Sequence, residues 1–215
     1  DAGTTASNCV AIGYNSLTAN TTGNSNTAIG VASLEANTTG AQNTVMGSSA
    51  MAANTTGNYN IAIGRQALTA SNGSNNVAIG WQSLLANTTG TDNTAVGMQA
   101  LTTVETGNYN TAIGARALMS STGSGGCAVG EDALMTMTTG TQNIAMGQSA
   151  LRLLTTGNYN IAIGANTLAA SGTFSSNVAI GQAALNVNVA ANNTAVGYNA
   201  GLVNTTGTDN VAIGA

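Results

Sequence analysis

Lysine, histidine and proline are absent from this 215-residue chain, and charged residues make up only 5% of it. Each absence closes a class of function. Three arginines are the whole cationic complement and the net charge is −4. Such a chain cannot neutralise a run of phosphates, which excludes nucleic acid as a partner, and a polybasic membrane contact fails for the same reason. Without histidine there is no imidazole base, and without lysine no phosphate-loop or Schiff-base amine. The chain therefore reads as non-catalytic, with no cofactor and no metal. No apolar run approaches the ~18 residues that cross a bilayer, and no signal-peptide pattern is present. Two cysteines, Cys9 and Cys127, do not make a disulfide framework; lying in or beside apolar columns, they read as small buried hydrophobes. The start at Asp1 rather than methionine reads as a processed piece of a longer protein.

What remains is Asn, Thr, Ala and Gly, threaded with regularly recurring Ile, Leu and Val. That pattern is too ordered for a solvated coil, and too poor in charge for the usual disordered composition. The regularity is a repeat. A glycine closes an A-I-G-like triplet at Gly13, Gly30, Gly47, Gly64, Gly80, Gly97, Gly114, Gly130, Gly147, Gly164, Gly181, Gly197 and Gly214, at intervals of 17 or 16 residues. Gly64, Gly114, Gly164 and Gly214 are 50 apart, so three turns make a larger unit. Two places before the glycine stands Ala, with Val45 the exception. Four before stands Asn, except at Cys9 and Gly126, and four after stands Leu, with Met51 and Gly201 the exceptions.

A period near 17 is too short for a helical-hairpin repeat, which needs about 33 residues. The phrase N-T-A-I-G is β-branched and alternating, which predicts a strand; T-T-G is turn chemistry. The natural unit is one turn of a parallel β-solenoid, with like residues stacked about 4.8 Å apart. We expect an all-β chain of 12–13 turns forming one solenoid domain over residues 1–215, on the order of 58 Å long. Asparagines four before the glycine should form an amide ladder, and the 16-residue turns should lose their residue in the loop. Alternation separates Ile and the Val/Thr column from Asn, Ala and Gly. One face fills the interior with the Leu column. The other, small and nearly invariant, suits close approach by a second chain; a wider coil burying both sets is the alternative.

The phrase N-x-A-I-G-x-x-[AS]-L, as in Asn60 to Leu68 and Asn93 to Leu101, resembles the head repeats of trimeric autotransporter adhesins. With the recurring N-T-T-G, it also resembles bacterial and phage tail-fibre-type repeats. The resemblance covers essentially the whole chain. It implies a homotrimeric parallel β-roll in the head or shaft of an extracellular fibre, at a cell surface or on a virion, with a host glycan or receptor as a possible ligand.

Other features carry less. Gly123 to Ala128 fits G-x-G-x-x-[GA] but sits in a loop with no helix pattern after it. Glu131 and Asp132 are adjacent carboxylates whose side chains diverge on a strand. Asp92 and Asp209 occur singly, unlike the aspartate-rich turns of calcium-binding rolls. The position after each marker glycine varies most, which predicts exposure; there Tyr14, Trp81 and Tyr198 are candidate surface contacts. Tyr59, Tyr109 and Tyr159 read as packing over a loop. Asn20, Asn37, Asn54, Asn72, Asn87, Asn192 and Asn204 each begin an N-x-[ST] sequon and are candidate glycosylation sites. Two further readings stay open: a filament of subunits joined end to end, and an ice-binding solenoid using the threonine rows.

Tight stacking has a direct test. Trypsin should leave the native chain intact, and rapid cleavage at Arg65, Arg116 and Arg152 would count against it.

Overall fold

A computed structural model describes residues 5–170 and 172–214 and divides the chain into two compact units, Asp1–Tyr109 and Asn110–Ala215. Among the described residues the regular elements are thirteen three-residue strands. The first unit holds β1 (Val10–Ile12), β2 (Thr27–Ile29), β3 (Thr44–Met46), β4 (Ile61–Ile63), β5 (Val77–Ile79) and β6 (Thr94–Val96). The second holds β7 (Thr111–Ile113), β8 (Cys127–Val129), β9 (Ile144–Met146), β10 (Ile161–Ile163), β11 (Val178–Ile180), β12 (Thr194–Val196) and β13 (Val211–Ile213).

Within each unit every strand pairs parallel with the next, column on column: Ala28 opposes Val45, which opposes Ala62, and Ala145 opposes Ala162. Successive parallel neighbours joined by so short a connection make each unit a β-solenoid of one strand per rung. The rest of the rung is held in the same way. Leu34 N–H donates to Ala50 C=O at 3.0 Å, and Ala36 N–H to Ala52 C=O at 3.0 Å.

The strands are short because the marker glycine ends them. Gly80 has φ +132, and a Cβ there would lie 2.5 Å from the carbonyl oxygen of Gly97 one rung on. A side chain at this column would therefore push neighbouring rungs apart. Beyond it, three positions in most rungs take the left-handed conformation without glycine, as Gln82 (φ 55), Leu84 (φ 49) and Asp92 (φ 58) do. That conformation is disfavoured for such residues, so it persists because bonds to the adjoining rungs fix the path.

The amide ladder is present in both units. Asn60 receives no slack: its N–H and its Nδ2 both donate to Asn43 Oδ1, at 2.9 and 3.1 Å, and Nδ2 also donates to Gly73 C=O at 2.9 Å. Asn160 repeats this with Asn143 Oδ1 at 3.0 and 2.9 Å and Phe174 C=O at 3.0 Å. The short rungs lose their residue in the loop. There Asn72 replaces part of T-T-G, and its Oδ1 accepts from Thr55 N–H at 2.7 Å.

The two faces of the strand are the reverse of the expectation. The small set is inside: Ala28, Ala62, Ala112 and Ala162 are fully buried with the Leu column and the ladder asparagines. The Val/Thr/Ile column and the Ile/Val/Met column point outward; Ile12, Met46, Ile113 and Ile180 are exposed. The reason is size. A 17-residue rung closes on a narrow space, and opposite the leucine column it takes small groups: a flat amide and a methyl in nearly every rung, with the fully buried Val45 the largest side chain in the alanine column.

Asn60→Ala leaves a buried carbonyl and a buried N–H without partners, and Gly80→Ala forces the rungs apart. Each should cost about 3 kcal/mol, read from urea unfolding. The outward Thr111→Val should change stability by under about 0.5 kcal/mol.

Candidate functional site

Each unit presents an outward sheet face of uncharged side chains. In the first unit its two central columns are Val10, Thr27, Thr44, Ile61, Val77 and Thr94 beside Ile12, Ile29, Met46, Ile63, Ile79 and Val96; β7 to β13 continue the pattern in the second. No charged residue stands in either column. Six rungs at about 4.8 Å and a width of about 10 Å give roughly 300 Å² of flat apolar surface in the first unit. That area is comparable to the largest apolar patch of an ordinary soluble monomer, and such patches are often functional.

The columns bordering this face are mixed. On one edge stand Tyr59 and Tyr109 in the first unit and Tyr159 in the second, all exposed and each with φ 59. They do not pack over a loop as expected, because the left-handed backbone turns them outward. On the other edge lies the position after each marker glycine. Tyr14, Trp81 and Tyr198 are all exposed there, Trp81 at 42%. They do not form one platform: Tyr14 and Trp81 are four rungs apart, about 19 Å, and Tyr198 belongs to the second unit. Beside Trp81 the structure adds a feature that column reading misses, a ladder of glutamine amides. Gln82 Nε2 donates to Gln66 Oε1 at 3.1 Å, and Gln99 Nε2 donates to Gln82 Oε1 at 3.2 Å.

The sequon asparagines divide by position. Asn37, Asn54 and Asn87 are fully buried and Asn20 nearly so. Asn20, Asn37 and Asn54 form a second amide ladder, in which Asn54 Nδ2 donates to Asn37 Oδ1 at 2.8 Å and Asn37 Nδ2 to Asn20 Oδ1 at 3.0 Å, while Asn87 Nδ2 meets Ser71 Oγ at 3.4 Å. A glycan on these nitrogens has no room, which corrects the sequence expectation. Asn204 is half-buried, with its Nδ2 bonded to Gly207 C=O at 3.0 Å. Asn72 and Asn192 are exposed. The first threonine of each doublet is also engaged: Thr38, Thr88 and Thr138 Oγ1 donate to the C=O of Thr55, Glu105 and Thr155 one rung on, at 3.0, 3.0 and 3.1 Å.

Glu131 and Asp132 converge on Arg116, whose Nη2 and Nε lie 3.0 and 2.7 Å from them. The Asp132 hydrogen bond and charge hold the Arg116 guanidinium above its ordinary pKa. Arg152 Nε is 3.7 Å from Asp132, an ion pair without a hydrogen bond. This cluster ties adjacent rungs together through neutralised charge. Both cysteines are half-buried rather than buried. Cys9 takes an asparagine position in the ladder, with Sγ 3.3 Å from Gly23 C=O, and Cys127 stands in the outward face on β8.

The repeat and its pairing define the class: a parallel β-solenoid repeat protein. No family profile, curated protein or solved structure matches the chain.

Produced in a glycosylating secretory host, the folded protein should carry glycan at Asn72 or Asn192 and none at Asn37, Asn54 or Asn87. Mass spectrometry of glycopeptides reads this directly, and occupancy at Asn54 in folded material would contradict the burial.

Proposed function

We propose that the chain is a structural and adhesive segment, shaft or head, of an extracellular fibre, in which three copies lie side by side with their outward sheet faces together. The observation that carries the reading is the uncharged face of Val, Ile, Met and Thr. Water is a poor neighbour for it, and a second copy presents an identical flat face at the same rung spacing. A parallel arrangement sets like rung against like rung, and no like charges meet there to oppose it. Closed symmetry then keeps growth finite. A thin interior also gains from partners, because a small cross-section buries a small share of its surface alone.

The adhesin-like and tail-fibre-like phrase supports three copies and an extracellular place, at a cell surface or on a virion. So does a surface with few trypsin sites. The first threonine of each doublet is committed to the next rung, which weighs against an ice-binding array, since the pair then cannot order water as two matched flat rows.

Light scattering behind a sizing column tests the reading. One chain is 21.0 kDa, so three copies give about 63 kDa, independent of concentration. Placing one carboxylate on each unit's face, Ile79→Glu with Ile163→Glu, should return the single-chain mass with the fold retained. A steady 21.0 kDa for the parent chain overturns the trimer, and a mass that climbs with concentration favours end-to-end filaments.

A further inference from the structure

We propose that the rungs of β4, β5 and β6 carry a binding site for a carboxylated saccharide, built on Arg65, Trp81 and the glutamine ladder. The proposal rests on the adhesive part of the reading above and names its ligand class.

Arg65, Trp81 and Met98 each follow a marker glycine. The register Ile63–Ile79–Val96 places them at corresponding positions on successive rungs, about 4.8 Å apart. All three are exposed. The adjoining column is Gln66, Gln82 and Gln99, half-buried and bonded amide to amide at 3.1 and 3.2 Å. Gln82 uses one N–H and one carbonyl lone pair within the ladder, which leaves one of each for a ligand. The carboxamides are already oriented, so less side-chain entropy is lost on binding than for free glutamines.

Charge narrows the ligand. Among the described residues the ion pairs are Arg116 with Glu131 and Asp132, and Arg152 with Asp132. Arg65 is thus the one arginine there with no acidic partner, and it stands next to the only tryptophan of the chain. A guanidinium takes a carboxylate through two parallel hydrogen bonds. An indole face covers the apolar face of a sugar ring, and fixed amides answer its hydroxyls. A polyphosphate fits poorly, since a single cation on a chain of net charge −4 gives little phosphate neutralisation. The column also borders the apolar face instead of lying within it, so side-by-side copies leave it at the rim. Repetition along a fibre then raises avidity for a weak single site.

Because Trp81 is the only tryptophan, its fluorescence, excited at the red edge where tyrosine does not absorb, reads this site alone. The intact chain is titrated with sialyllactose, with an oligogalacturonate, and with lactose as the neutral control, and its mass is measured in the same samples. Expected is a saturable change with one or both acidic saccharides at a Kd of about 1 mM, at least tenfold weaker with lactose. Which acid responds tells a sialic from a uronic source. Arg65→Gln should lose the acidic preference, tenfold or more, at unchanged mass; glutamine already occupies this column at Gln148 and Gln182. No response to either acid, an equal response to lactose, or parental binding by the Arg65→Gln variant each overturns the site. A trimer that does not respond removes the saccharide site and leaves the fibre. A responding monomer does the reverse.

Discussion

Every part of this molecule depends on one hydrogen-bonded contact, the meeting of a ladder asparagine with its counterpart one rung away. Asn43 Oδ1 holds both the backbone and the side-chain N–H of Asn60, while Asn60 Nδ2 reaches the turn carbonyl of Gly73. Strand and turn are thereby tied at the same height. An unmatched buried amide would cost about 1–3 kcal/mol, so the interaction rewards repetition and penalises any rung that slips. The marker glycine adds a steric condition, because only a residue without Cβ lets the next rung approach.

From that constraint follows a narrow interior. Seventeen residues drawn around a short strand leave space for Leu, Ala and Asn, and the larger β-branched side chains go outside. Most soluble proteins place such residues in their core. Here the core takes few of them, such as Val45 and Val104, and the outward face becomes the feature most in need of an explanation beyond the single chain. Its freedom from charge is what makes a second copy a suitable cover.

The fold was legible in the sequence because the columns are nearly invariant: strand, turn, amide ladder and the site of the one-residue deletions all follow from reading down them. The inside and outside of the strand were not. Alternation separates two sets of residues but carries no sign, and choosing between them requires the width of the closed rung. The left-handed backbone at Tyr59 and its equivalents aims those tyrosines outward. The sequons misled for a related reason. Asn-Thr-Thr-Gly is good turn chemistry on a surface, yet in Asn37 and Asn54 the first residue turns inward and its neighbour's hydroxyl is what faces the next rung. The variable column was read correctly as exposed. The glutamines beside Trp81 escaped because a polar residue in a loop gives no signal until its neighbours are stacked against it.

Cys127 offers the most direct measurement of whether the outward face is covered. It stands on β8 between Thr111 and Ile144 in the column that faces away from the interior. Its alkylation rate in the native parent protein should be slow, and should rise by at least tenfold when one carboxylate per unit face separates the copies. Equal, rapid labelling in both would mean that the face stays open to water, and would contradict side-by-side packing.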